Sequence, residues 1–242
     1  MTRPEGTPQR RGPAPTAPGA ALAATVAATV ERALVRLGAP PDAARRLTGG
    51  LVAAYADPRR AYHDLAHLAD VLAGVERLAS EAEDPDVVRV AAAYHDAVHD
   101  GGPDDEERSA ALAERRLPGL GLPDPVVARV ARLVRLTLTH DPAPGDRDGA
   151  VLCDADLAVL GADATRYAGY AAAVRREYAH VGDRDFARGR AAVLRALLAR
   201  HPLYSTPAAR AAWEARARAN VGAELSRLDA VAAGAAPTPA GG

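Results

Sequence analysis

The chain has 242 residues, of which 30 are Lys or Arg and 31 are Asp or Glu, for a formal net charge of −1. That balance argues against a nucleic-acid binder working through bulk positive charge, and an aromatic content of 4% leaves little stacking surface for single strands. All the basic residues are Arg; without Lys, a Walker-type phosphate loop and a Schiff-base enzyme are both excluded. The single cysteine, Cys153, rules out an internal disulfide framework and a multi-Cys zinc site, so any metal must be held by His, Asp and Glu.

In chain order, residues 1–18 are rich in Pro, Gly, Thr and Arg and read as a disordered tail. The Ala/Thr run over 20–30 is weakly apolar and flows into Glu31-Arg-Ala-Leu-Val-Arg on a helical period, which suits a first amphipathic helix better than a signal peptide. Pro40-Pro41-Asp42 breaks the chain and starts a second helix reaching about residue 56. Leu65, Leu68, Val71, Leu72, Val75 and Leu78 keep a three-to-four spacing that predicts a helix over 62–80. Further helices are expected at 85–95, 104–117, 124–139, 163–180, 184–200 and 206–228, with Asp141-Pro-Ala-Pro-Gly-Asp146 as a loop. No two-residue alternation of β-branched residues marks a strand. The expectation is an all-α protein: one helical bundle of roughly nine helices over 19–230, with a second disordered tail over 231–242. No segment approaches the apolar length of a membrane span, and a cytoplasmic location is the expectation.

Histidines cluster. His63 and His67 are four apart and share a helix face, and so are His95 and His99 in Tyr94-His-Asp-Ala-Val-His-Asp100. His140 ends a later helix, and Asp154 and Asp156 flank Ala155 just beyond the Pro/Gly loop. A bundle can bring such groups from separate helices onto one divalent cation. His99-Asp100 reads equally as a proton relay or a helix cap, and His140 as a phosphate or metal contact or a dipole-stabilising residue. His180 and His201 fall outside the pattern and read as surface or packing residues; Tyr62, Tyr94 and Tyr178 read as core. Arg60, Arg176 and Arg190 are the guanidinium groups nearest these motifs, with helix-surface ion pairing the simpler role for each.

The ordered series Arg60-Ala-Tyr-His-Asp-Leu-Ala-His67, Tyr94–Asp100, Glu106-Glu-Arg-Ser-Ala110, Thr139-His140, Asp154–Gly161, Arg176-Glu-Tyr178, Gly189-Arg190 and Ala217-Arg-Ala-Asn220 resembles the HD superfamily, in particular a bacterial branch of predicted metal-dependent phosphohydrolases. The resemblance covers about residues 30–228 and implies a helical bundle with a metal between helices. It implies His67, His95, Asp96 and Asp156 as ligands of one divalent cation, with Mn, Fe, Ni, Zn and Mg all compatible. His67-Leu-Ala-Asp-Val71 fits the first-ligand pattern where His63 does not, and Asp156-Leu157 fits the last-ligand pattern better than Asp154-Ala155. Asp96, His63, His140 and Glu106 are the implied catalytic candidates; Asp105 stands where the family motif commonly has Asn. The implied activity is metal-assisted hydrolysis of a small-molecule phosphate ester, with nucleotides the expected substrates. The rivals are a nucleotide-binding module without turnover and a di-iron oxygenase, which would need further His ligands.

Overall fold

The computed structural model describes residues 17–234, and among them there are ten α-helices and no strand. Residues 1–16 and 235–242, where most of the two expected tails lie, are outside the described residues. The helices are α1 (Ala17–Arg36), α2 (Pro41–Tyr55), α3 (Leu65–Leu78), α4 (Pro85–Tyr94), α5 (Asp105–Arg116), α6 (Asp124–Leu136), α7 (Arg147–Asp156), α8 (Ala164–Glu177), α9 (Asp183–Leu198) and α10 (Pro207–Ala232). The helical part is thus wider than expected at both ends: α1 begins before residue 19 and α10 passes residue 230.

Helix α4 is the axis of the bundle. Every residue from Val87 to Tyr94 is buried, so the helix is covered on all sides, by α1, α3, α6 and α7. Its start is fixed by Asp84, whose side chain accepts from the N–H groups of Asp86 and Val87, with Pro85 at the first helical position. Helix α3 begins at Leu65 rather than at 62, because the Asp64 carboxylate caps it by accepting from Ala66 N at 2.9 Å and His67 N at 3.1 Å. Residues 61–64 therefore form a turn, and His63 and His67 do not share one helix.

The expected count misses α7. Its sequence, Arg-Asp-Gly-Ala-Val-Leu-Cys-Asp-Ala-Asp, buries two of its three acids, Asp148 and Asp154, so the apolar period is broken by groups that face partners rather than water. Asp148 accepts from the backbone N–H groups of Glu83 and Asp84 and from Arg129, tying α7 to the start of α4. Helices α3 and α7 approach closely at Gly74, where a Cβ would lie 3.0 Å from Ala155 Cβ and 3.1 Å from Ala155 Cα. That crossing sets Asp156 against the first turn of α3. Beyond α7, helices α9 and α10 pack together, and α10 lies along the 3-10 turn at Leu157–Gly161, close enough that a Cβ on Gly161 would meet the Trp213 backbone at 2.9 Å.

Candidate metal centre

Three elements deliver one side chain each, or a neighbouring pair, to the same point. His67 sits in the first turn of α3, His95 and Asp96 follow the last turn of α4, and Asp156 ends α7. His67 Nε2 lies 3.2 Å from His95 Nε2, 3.2 Å from Asp156 Oδ1 and 3.5 Å from Asp96 Oδ2. His95 Nε2 lies 3.0 Å from Asp96 Oδ2 and 3.5 Å from Asp156 Oδ1. The two imidazoles are buried, and the two carboxylates reach a cavity.

The neighbours fix how these groups point. His95 Nδ1 must donate to the Ala92 carbonyl oxygen, 2.7 Å away, since that oxygen can only accept. Its Nε2 is thereby turned toward the cluster. The turn carrying His95 and Asp96 is tied down by Arg60, whose Nη1 donates to Asp96 O at 2.7 Å and His63 O at 3.0 Å and whose Nη2 donates to Ala97 O at 3.2 Å. The Tyr55 hydroxyl accepts from Asp96 N at 3.1 Å. Arg60 thus binds main chain rather than pairing with an acid on a helix surface. His140 Nε2 holds the second oxygen of Asp156 at 2.7 Å, leaving Oδ1 to face the two histidines. His140 has a φ of 50°, in the left-handed region, and Arg200 grips its carbonyl.

Burial disfavours charge on all four groups, and their mutual attraction exceeds it. For Asp96 burial is opposed mainly by the charges of His95 and His63, and for Asp156 by His95 and hydrogen bonds from His140 and His67; both carboxyls sit well below the usual range. Burial would lower His67, but hydrogen bonds to Asp156 and Asp96 push it up to about 9.

A second cluster abuts the first. Glu177, the last residue of α8, accepts through Oε1 from His63 Nδ1 and from His99 Nε2, the latter at 2.9 Å. Its Oε2 accepts from the backbone N–H groups of Ala61 and Tyr62 at 2.9 Å and of His63 at 3.2 Å. Burial would raise the Glu177 carboxyl; these donors hold it far below the usual range. Glu177 stands inside the Arg176-Glu-Tyr178 string, the one signal that could have singled it out. Asp105, in the place of the motif Asn, pins the loop after His99 by accepting from the N–H groups of Asp100, Gly101 and Gly102.

The four clustered side chains, His63, His140 and Glu106 all line one cavity of about 680 Å³. Glu106 is half-buried at its rim and makes no side-chain hydrogen bond among the described residues. Arg190 lines the same cavity, whereas Arg176 is exposed and outside it. Tyr62 and Tyr178 also line it, while Tyr94 is buried away from it. Asp154 points elsewhere, accepting from Ser205 N at 2.8 Å and Thr206 N at 2.6 Å at the start of α10. His180 and His201 are exposed.

Residues 63–162 match the family model of the HD domain. That match supports membership of the HD superfamily. No curated protein and no solved structure matches the chain. The HD superfamily is one of metal-dependent phosphohydrolases, and the matched segment contains His63, His67, His95, Asp96, His140 and Asp156. Glu177 and Arg190 come from helices beyond it. His67, His95 and Asp96 form a group able to hold a metal ion. Among the described residues, no helix is long and apolar enough to cross a membrane.

Proposed function

We propose that this HD domain is a phosphohydrolase of the bacterial branch named above, that His67, His95, Asp96 and Asp156 hold one divalent cation, and that its substrate is a small phosphate ester such as a nucleotide. The observation that carries the reading is the spacing of the donor atoms around the two histidine Nε2 atoms. Ligands about 2.1 Å from a shared cation lie about 3.0 Å apart in octahedral and about 3.4 Å apart in tetrahedral geometry. The five distances from the two Nε2 atoms run from 3.0 to 3.5 Å. Two imidazole nitrogens facing each other between two carboxylates require either protons or a cation between them, and the nitrogen–oxygen donor set suits a borderline or hard ion.

When bound, the cation would supply Lewis acidity, activating a water and polarising a phosphoryl oxygen. The chain's own groups do the rest. Asp96 faces both the cluster and the cavity, placed to orient a water. His140 fixes which oxygen of Asp156 faces inward. His63 lines the cavity with its Nδ1 bound to Glu177, which leaves Nε2 to give a proton to the departing alkoxide or to take one from water. Glu177 is a positioning residue, since it acts through His63. Glu106, at the rim, is placed to meet the organic part of a substrate or a bound water.

The His63–His99–Glu177 group is also one whose ligand atoms lie close enough to invite a metal. In this group Glu177 Oε2 is already occupied by three backbone N–H groups and Oε1 is shared by the two imidazoles, so hydrogen bonds alone satisfy it. This argues for a single-cation hydrolase over a di-iron oxygenase. The test is anaerobic release of phosphate from a panel of phosphate monoesters by Mn-loaded protein, with loss of metal and turnover in His95→Ala. Strict dependence on iron and oxygen would overturn the reading in favour of an oxygenase. Saturable nucleotide binding without product would overturn it in favour of a binding module.

A further inference from the structure

The cavity has two ends of different character. One end is the histidine–aspartate cluster. Outside the cluster the cavity is lined by apolar side chains that include Leu160, Val174, Phe186, Val193 and Leu197, and Val193 remains 55% exposed. Only two guanidinium groups line the cavity, those of Arg190 and Arg200, and Arg200 is bonded to the carbonyls of Thr139 and His140. The chain has no Lys to add.

Arg190 sits in that wall within a buried polar network drawn from three helices. Its Nε donates to Glu224 Oε1 of α10 at 3.0 Å, and its Nη2 donates to the Tyr170 hydroxyl of α8 at 2.7 Å. The other oxygen of Glu224 accepts from the Tyr167 hydroxyl. The guanidinium also lies over the Tyr170 ring, 5.0 Å from its centre. The Arg190 and Glu224 side chains are 11% and 7% exposed. An ion pair this deep gives little net stability over apolar residues of the same volume, so its stability contribution does not explain its presence. What it does is hold a planar donor at one angle. Arg190 Nη1 makes no hydrogen bond among the described residues, yet it is not among their sealed, unpartnered polar atoms. Arg190 lines the cavity, and Nη1 is the guanidinium nitrogen left open to a ligand there.

Two features separate this donor from the phosphoryl end. Its charge is already matched by Glu224, which weakens it as an anion receptor while leaving its N–H edge able to meet a neutral oxygen. And two tyrosine rings stand between it and the cluster: Tyr170 packs on Tyr62 at 4.7 Å, and Tyr62 on His67 at 4.8 Å.

Resting on the phosphohydrolase reading above, we propose that Arg190 is the specificity residue of this site: its Nη1 edge, set by Glu224 and Tyr170, hydrogen-bonds a neutral acceptor oxygen at the far end of an apolar or aromatic group carried by a phosphate ester. The substrate class is then a phosphorylated alcohol with a flat or apolar body and a distal carbonyl. A bare sugar phosphate or inorganic polyphosphate would leave the apolar wall uncovered and the Arg190 edge unmet.

The test is equilibrium binding of non-hydrolysable phosphonates to the Mn-loaded protein by calorimetry. Benzylphosphonate and biphenylmethylphosphonate are each compared with the counterpart bearing a terminal carboxamide, so that two lengths are sampled. The wild type is expected to favour a carboxamide-bearing member at least tenfold over its parent. Arg190→Met leaves Glu224 unpaired and is liable to misfold, so the decisive variant is Arg190→Met/Glu224→Gln, which removes both charges. With metal content retained, its preference should collapse to about one. Equal binding with and without the carboxamide in the wild type, or a preference that survives in the double variant, overturns the assignment of Arg190 while leaving the phosphohydrolase reading intact. Binding of no phosphonate at either length overturns that reading, and this inference with it.

Discussion

Asp154 and Asp156 are two residues apart on α7 and should respond to substitution in opposite ways. Asp154 is 1% exposed and accepts from the N–H groups of Ser205 and Thr206. Burial raises its pKa and those two donors counter it only in part, with a net upward shift. A hydrogen bond to a charged acceptor contributes about 1.5–3 kcal/mol, and stranding a buried donor costs more of that range than sharing it. Asp154→Ala should therefore destabilise the fold by about 3–5 kcal/mol. At about 2–4 °C per kcal/mol for a domain of this size, the melting temperature falls by roughly 10 °C. Asp156 faces His67, His95 and His140 instead. Asp156→Asn should abolish stoichiometric metal binding and, with it, the rise in melting temperature that metal gives the wild type. The assay is a pair of thermal melts, with Mn and with a chelator, alongside elemental analysis of the purified variants. Loss of metal in Asp154→Ala with an unchanged melting temperature, or full metal in Asp156→Asn, would refute the assignment.

Glu177→Gln should lower kcat by about 10²-fold, the lower range for a general acid–base contribution, while metal content stays at the wild-type level; loss of metal instead would place Glu177 in the cation site. His99 is lowered by burial but raised overall by its hydrogen bond to Glu177 and the charges of Asp96 and Glu177. A folded pKa above the ordinary value of about 6.5 stabilises below that pH and loses its contribution as pH climbs through the raised value. Urea melts should accordingly show a larger stability deficit in His99→Gln at pH 6 than at pH 9, and an equal or larger deficit at pH 9 would contradict this. Gly74→Ala would put a Cβ 3.0 Å from Ala155 Cβ, with backbone rather than a flexible side chain behind it; the overpacking should cost about 1–3 kcal/mol and weaken Mn affinity, because Ala155 adjoins Asp156. Unchanged affinity by titration calorimetry would show that the helix crossing does not set the ligand position.

What the sequence reveals about this site follows from what each residue depends on. His67, His95, Asp96 and Asp156 are singled out by the resemblance, and the structure brings their side chains together where α3 begins and α4 and α7 end. The three-to-four spacing of Leu65 to Leu78 is legible directly, as is the Val/Ala-rich α4. The start of α3 is not, because the Asp64 cap outweighs apolar periodicity at 62–64. Helix α7 is hidden because its acids face buried backbone donors rather than solvent, so polarity ceases to report exposure. Glu177 and Arg190 are hidden for a further reason. Their roles are defined wholly by partners far away in sequence, His63 and His99 for one and Tyr170 and Glu224 for the other, and no local spacing encodes such pairings.

The division has a chemical counterpart. The four proposed cation donors lie inside the matched segment, residues 63–162, while Glu177 and Arg190 come from α8 and α9 beyond it. The cluster needs only that α3, α4 and α7 cross as they do, and the Gly74–Ala155 approach enforces one of those crossings. Glu177 ties the end of α8 to the backbone of residues 61–63, and Asn220 ties α10 to the carbonyls of Leu160 and Ala162. On the proposed roles, substitutions in the Arg190–Glu224 network should change which ester is taken without changing how many metal ions the protein carries.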